Sequence, residues 1–371
     1  MSECRFYKVA DHIFSVSVDE SVATNTNGTA DFFAQCMENY EPFVIPGSAC
    51  PGLDMGLINN VIPGQTRNLA FALAVQPSAP FDYTEEIRQE DEGQTIICGH
   101  TVSGESVFEF LLRDVSAGTL VCSKGYREAR LLMGNGLTDL RLQKFALNNA
   151  LMVLYAMATA GLGTALFHSA VVSYQGRGYM FLGKSGTGKS THARLWLEYV
   201  AGTELMNDDN PVVRFYDDVD GKPGAVVYGS PWSGKTPCYR NVQAPVGGIV
   251  LLSQAPHNKI VRLRGVEAYA ALVTSISGKR WDRSLADGLH ATENSLAKYV
   301  PVWHLECLPD EAAARLCNES IASTDVIPGS DPESRWRPRC RGSYPLSGKP
   351  QVDIVIKSAM TKDESNLPDG I

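Results

Sequence analysis

The chain has 371 residues, 44% of them hydrophobic and 20% charged, and a formal net charge of -8. That length and balance suit a soluble globular protein with two domains, each able to bury a core. The acidic sign excludes a broadly nucleic-acid-binding surface but leaves room for a local basic site. The nine cysteines are scattered and never spaced C-x-x-C. A zinc site or disulfide framework is therefore not expected, and a reducing, cytoplasmic location is. The first residues, with no basic stretch leading into an apolar one, predict no secretory signal.

Residues 1–135 predict a β-rich first domain. Strands are expected over 13–18, where apolar and polar residues alternate, and over 69–75, an uninterrupted apolar run. Residues 94–98 and 106–112 flank Ser103-Gly104-Glu105, a hairpin signal, and 118–122 and 129–133 extend the meander. Pro42, Pro46, Pro51 and Pro63 mark loops between the first strands.

From Phe145 to Gln175 there is no Asp, Glu, Lys or Arg, a length sufficient for a membrane span. Asn148, Asn149, Gly161, Gly163, His168 and Ser169 interrupt it. The pattern predicts instead a core helix over 142–160, a turn over 161–163 and a strand over 165–172, and no membrane partner.

The most specific signal follows. Gly183-Lys184-Ser185-Gly186-Thr187-Gly188-Lys189-Ser190 fits the phosphate-binding pattern G-x-x-x-x-G-K-S/T. The apolar run 179–182 before it predicts a strand, and the segment from Thr191 predicts a helix. A strand, a glycine loop and a helix N-terminus aim backbone N–H groups at one spot and make it attractive to anions. Lys189 adds a charge for the β- and γ-phosphates, and Ser190 a hydroxyl suited to Mg²⁺. A nucleotide, ATP, is the expected ligand, with Mg²⁺ or Mn²⁺.

A P-loop needs an acidic partner. Leu205-Met206-Asn207 leads into Asp208 and Asp209, predicted at the tip of a strand beside the loop. One carboxylate can hold the metal and the other can accept a proton from an attacking hydroxyl; an Asp-Asp-Asn-Pro turn is compatible with that role. His168 lies on the strand before the P-loop strand and is expected level with the loop. A satisfied core histidine and a site residue both remain open for it. Between 229 and 240, Pro231 and Gly234 shape a turn, Trp232 and Tyr239 offer stacking faces, and Lys235 and Arg240 offer charge. The stretch reads equally as an acceptor or phosphate clamp and as a surface loop.

Further strands are expected over 212–216, 225–228, 248–252 and 302–306, and helices over 265–274, 287–299 and 310–317. That order is not a strict βαβ alternation and predicts a mixed sheet. Residues 321–371 read as a polar, poorly ordered tail. It carries Arg335, Arg337, Arg339 and Arg341 around Trp336, and a lone strand signal over 350–356.

Residues 185–191 together with Asn207, Asp208 and Asp209 resemble the nucleotide site of phosphoenolpyruvate carboxykinases and of HPr kinase/phosphorylases. Phe167-His168-Ser169-Ala170 resembles the His-bearing strand of both families. The likeness covers roughly residues 160–320; the whole chain is similar to bacterial proteins labelled as carboxykinase-like or HPr-kinase-like. It implies an α/β fold with α+β character: a phosphoenolpyruvate-carboxykinase-like P-loop domain with a mixed sheet (136–320) after the smaller β-rich domain. It implies nucleotide contacts from Gly183 through Thr191, with Lys189 on the phosphates, and metal ligation by Ser190 with one of Asp208 and Asp209. The other Asp, with or without His168, is then at the transferring phosphoryl group; the assignment carried forward is Asp209 on the metal and Asp208 with His168 at the phosphoryl group. The chain departs from carboxykinases in lacking a recognisable oxaloacetate pocket upstream, and from HPr kinases in the 229–240 stretch.

The expected function is transfer of the γ-phosphoryl group of ATP to a hydroxyl acceptor, a small molecule or a protein serine. A carboxykinase-like lyase and a non-catalytic nucleotide sensor are the alternatives. Nucleic acid is not an expected partner, and a homo-oligomer is allowed.

Overall fold

The computed structural model describes residues 3–23, 28–46, 50–51, 69–91, 93–134, 139–219, 221–234 and 236–322. Pro63, Lys235 and the segment after Ala322, with its arginine cluster and the strand signal over 350–356, lie outside the described residues.

The described chain forms two mixed sheets with helices, an α+β architecture. The first sheet takes β1 (Glu3–Val9), β2 (His12–Val18), β3 (Cys50–Pro51), β4 (Leu69–Pro77), β5 (Thr84–Asp91), β6 (Gln94–His100), β7 (Ser106–Leu112), β8 (Val115–Cys122) and β9 (Glu128–Met133). Their spatial order is β3-β1-β2-β4-β9-β8-β7-β6-β5. Strands β6 to β9 form the expected antiparallel meander, to which β5 adds an unexpected edge strand, and β4 pairs in parallel with both β2 and β9. Two helical segments, α1 (Thr29–Cys36) and a 3-10 helix (Glu38–Phe43), follow β2. Pro42, expected in a loop, sits inside the 3-10 helix, whose tight turns tolerate its missing N–H.

The uncharged run becomes α2 (Leu140–Thr159), capped by the Asp139 side chain, which accepts from Arg141 N. It packs on β4, β7, β8 and β9 and also on the second sheet at β10 (Thr164–Leu166). Burial between two sheets explains why it carries almost no charge. Among the described residues no helix is long and apolar enough to cross a membrane.

The second sheet adds β11 (Ser169–Tyr174), β12 (Arg177–Leu182), β13 (Glu204–Asn207), β14 (Val212–Val219), β15 (Lys222–Tyr228) and β16 (Gln243–Gln254). The order is β10-β14-β15-β16-β12-β11-β13; β18 (Val302–Cys307) pairs with β16, and β17 (Lys259–Leu263) with β18. The pairs β12–β16 and β16–β18 are parallel and the others antiparallel. The helices are α3 (Lys189–Tyr199), α4 (Gly265–Val273), α5 (Arg283–Tyr299) and α6 (Glu311–Ile321).

One hydrophobic cluster runs without a break from Tyr7, Phe14 and Phe71 in the first sheet through Leu151 and Tyr155 of α2 to Met180, Trp232 and Leu272. A second lies under α3 and α6, around Phe181, Trp196, Leu305 and Cys317. Phe14 stacks on Tyr7 and Phe71 at centroid distances of 5.5 and 4.7 Å. Aromatic pairs of this kind contribute about 0.5–1.5 kcal/mol each beyond the area they bury.

Candidate active site

The apolar strand β12 ends at buried Leu182, and the chain then turns through Gly183 (φ 151°), Gly186 (φ 78°) and Gly188 (φ 101°). These angles suit glycine, and Gly188 serves as the left-handed N-cap of α3. Thr187 closes the turn, donating from N and Oγ1 to Lys184 O at 3.2 and 2.7 Å. Gln254 Nε2, at the end of β16, donates to Gly186 O at 3.0 Å.

Lys189, the first helical residue, is buried, and its Nζ donates to Gly183 O at 3.0 Å and Lys184 O at 3.4 Å. Ser190 and Thr191 complete the first turn, which holds no acidic residue. The positive end of the helix dipole is thus not offset by the helix's own side chains. Lys184, Ser185 and Gly186 are exposed. Behind the loop, His192 packs edge-on against Phe181 at 4.7 Å and accepts from Trp196 Nε1 at 3.2 Å. Burial pushes its pKa down to about 4, so it is neutral at pH 7.

The strand expected over 165–172 is two strands. Leu166 ends β10 and Ser169 begins β11, because the backbone changes partners between them. Phe167 N donates to Pro211 O (3.0 Å), His168 N to Ser275 O (2.7 Å) and Ser169 N to Asp209 O (2.8 Å).

Register brings the acidic pair to the loop's end of the sheet. Ser169 is paired with Leu182, and Val171 with Asn207. Strands β12 and β13 are both antiparallel to β11, so they run the same way and end at the same edge. Gly183 continues one; Asp208 and Asp209 continue the other. The acidic strand is therefore one strand removed from the P-loop strand, with β11 between them.

His168, Asp208 and Asp209 are all buried. Nδ1 of His168 lies 2.9 Å from Asp209 Oδ1, an ion-pair distance, but is not aligned for a hydrogen bond. Asn210 Nδ2 donates to Asp209 Oδ2 at 2.7 Å. Asp208 Oδ2 and Ser169 Oγ are buried with no hydrogen-bond partner. Orphaned buried oxygens are rare in folded chains, and a cluster of them marks a place built for a ligand, a cation or water.

Much of the support comes from Asn207 and Trp232, together with Ser230 and Asn210, to which sequence reasoning gave no supporting role. Asp209 N donates to Asn207 Oδ1 at 2.9 Å, an Asx turn signalled by the Asn-x-Asp spacing. Asn207 Nδ2 donates to Ser230 Oγ (3.1 Å) and Trp232 O (3.2 Å). Ser230 Oγ donates to Asn210 O at 2.6 Å, and Asn210 N to Trp232 O at 3.2 Å. Ser230 through Ser233 are buried, so this half of the 229–240 stretch is an internal wall behind the acidic pair. Arg240 faces the edge of β13, donating to Leu205 O at 2.7 Å and Glu204 Oε2 at 2.9 Å. Its guanidinium is thereby committed to that strand.

Among the described residues, no three His, Cys, Asp or Glu side chains form a metal cage. The seven cysteines with described side chains are free thiols.

No protein-family model matches the chain. No curated protein matches it in sequence. Among solved structures, it is similar to the Hpr(Ser) kinase/phosphatase from Coxiella burnetii, at 10% identity over 43% of this chain and 93% of that one, with a TM-score of 0.24. A likeness that loose carries no functional weight, and the functional reading rests on the site itself.

Proposed function

We propose that the chain is an ATP-dependent phosphotransferase that moves the γ-phosphoryl group to a hydroxyl acceptor. In this reading residues 136–320 are a phosphoenolpyruvate-carboxykinase-like nucleotide module and 1–135 a β-rich module set against it. One observation carries the proposal. Ser169 is paired with Leu182, the residue before the P-loop, while its amide donates to Asp209. A phosphate cradle and a buried acidic pair are thus held across a single strand.

The P-loop amides from Gly183 through Thr191 would hold the triphosphate, with the Lys189 ammonium against the β- and γ-phosphates. Ser190 and Asp209 would hold Mg²⁺ or Mn²⁺, whose charge offsets that developing on the phosphates. Asp208 Oδ2 is buried without a hydrogen-bond partner, and in this reading Asp208 would take the acceptor's proton. The acceptor oxygen bonds to the γ-phosphorus, the bond from that phosphorus to the β–γ bridging oxygen breaks, and ADP leaves. His168 Nδ1 lies beside Asp209 Oδ1, the oxygen that does not accept from Asn210. Such catalysis is mostly positioning and charge stabilisation, which suits a site anchored by backbone hydrogen bonds.

The test is an assay with γ-phosphate-labelled ATP against cell extract, with Lys189→Ala as the blank. Label passing to an acceptor with wild type and not with the variant is the expected result. Equal transfer by both proteins would overturn the assignment.

A further inference from the structure

The wall behind the acidic pair is itself held from the other end of the sequence. Asn39 Nδ2 donates to Pro231 O at 2.8 Å and to Asn148 Oδ1 at 3.0 Å. Trp232 Nε1 donates to Tyr40 OH at 2.8 Å. The Trp232 ring lies 5.1 Å from Tyr155 of α2 and edge-on to Tyr40 at 6.2 Å. Tyr40 in turn packs edge-on against Tyr7 of β1 at 5.8 Å. Asn39, Tyr40 and Trp232 are all buried.

On the other side of the wall, the backbone of Trp232 is bonded to Asn207 and Asn210, which flank Asp208 and Asp209. Gly234 touches the acidic pair directly: a Cβ there would lie 3.2 Å from both Asp208 O and Asp209 Cβ. A continuous path of buried polar contacts therefore runs from the 3-10 helix after β2, through 230–234, to the two carboxylates.

We propose that Asn39 and Tyr40 are positioning residues for the acidic pair, so that the β-rich half of the chain sets the geometry of phosphoryl transfer without touching substrate. The proposal rests on the phosphotransferase reading for its kinetic consequence and on geometry alone for its structural one. Two features favour positioning over mere core packing. Both contacts are hydrogen bonds to a loop, which fix orientation where apolar packing alone allows sliding. And the bonds that Ser230 and Trp232 make outside their own loop, Tyr40 apart, go to Asn207 and Asn210 on either side of the acids. A shift near 1 Å at reacting groups is enough to cost up to about 100-fold in rate.

The experiment compares wild type with Tyr40→Phe, which keeps the ring and removes the acceptor for Trp232 Nε1. Val18→Ala, in the core of β2, serves as a control that loses packing far from the wall. Two quantities are read. One is Lys189-dependent release of phosphate from ATP, with water as acceptor, together with nucleotide affinity. The other is the ¹⁵N shift of His168 Nδ1, which reports its relation to Asp209 whether or not the protein transfers phosphate.

The expected result for Tyr40→Phe is a moved His168 resonance and a roughly tenfold or greater fall in turnover at unchanged nucleotide affinity. Val18→Ala should lower the melting temperature and leave both readings where they were. If Tyr40→Phe only lowers the melting temperature, with the His168 resonance and turnover per folded molecule intact, the positioning role is overturned. If wild type releases no Lys189-dependent phosphate, the phosphotransferase reading fails separately, and the His168 resonance decides the positioning claim alone. Should Tyr40→Phe not fold, Asn39→Ala and Trp232→Phe are read by the same two measurements.

Discussion

The Asp209 carboxylate accepts from Asn210 while Asp208 beside it keeps a buried oxygen without a hydrogen-bond partner. The Asp209 carboxylate lies 2.9 Å from His168 Nδ1 and accepts from Asn210 Nδ2, and its backbone amide donates to Asn207. Two adjacent acids in unlike surroundings suit unlike tasks. Asp208→Asn should cut turnover by about 10²–10⁴, the range for losing a general base, and leave nucleotide affinity nearly unchanged. Asp209→Asn should weaken metal-dependent nucleotide binding as well, because in the proposed site it halves the charge offered to the metal and removes the carboxylate 2.9 Å from His168 Nδ1. Steady-state kinetics with separate binding titrations distinguish the two. Identical profiles for the two variants would mean that the pair does not divide its roles.

Lys189 supplies the one full charge buried in the P-loop. Removing one such aimed group typically costs about 10²–10³ in rate. Lys189→Ala should lose at least that much turnover and most nucleotide affinity. Its melting temperature should stay close to wild type, since the ammonium donates to carbonyls of its own loop, one of them that of exposed Lys184. A variant that melts early and binds nucleotide normally would point to a structural role for the lysine.

Gly183 offers a backbone test that touches no charge. Its φ of 151° is rarely adopted by other residues, and an added Cβ would collide with Thr187 Oγ1 and sit 3.3 Å from Leu252 O. Gly183→Ala should displace Thr187 and open the turn that it closes on Lys184. The expected cost is about 1–3 kcal/mol of stability, with loss of nucleotide binding. Gly202 also has a positive φ, of 85°, but nothing lies within 4 Å of an added Cβ, so Gly202→Ala serves as the control for strain alone. Calorimetric titration with an ATP analogue separates them.

What could be read from the chain follows from how local each signal is. The alternation in His12–Val18 and the charge-free stretch 145–159 of α2 reveal elements because one face, or all of it, must be apolar. Strand β5 gives no such signal: Thr84–Asp91 is mostly charged and exposed at the sheet edge, where charge discourages further pairing. The break at Phe167 and His168 is equally silent, since it is caused by hydrogen bonds to Pro211, Ser275 and Asp209. Glycine spacing at 183–188 is legible because positive φ demands glycine. The Tyr40–Trp232 bond spans 192 positions and has no local trace. Trp232 and Pro231 read from sequence equally as part of a clamp or of a surface loop, and it is tertiary packing that turns them inward.

The two buried histidines outside the site predict how the fold responds to acid. Burial depresses His192 to about 4, and burial with the nearby Arg214 depresses His12 to about 4, against an ordinary 6.5. In the unfolded chain both bind a proton below about pH 6.5, whereas the native state resists until about pH 4. The unfolded state therefore holds more protons within that window, and stability must fall as pH falls through it. Each histidine contributes a limiting slope of about 1.4 kcal/mol per pH unit, and at most roughly 3 kcal/mol in total. Below pH 4 both states are protonated and this contribution to the slope vanishes. His192→Gln preserves an acceptor for Trp196 Nε1 but cannot titrate, so urea unfolding between pH 7 and 4 should show roughly half the acid sensitivity contributed by the pair. An unchanged slope would mean that His192 takes up its proton in the native state, and the neutral, apolar backing proposed for the P-loop helix would have to be abandoned.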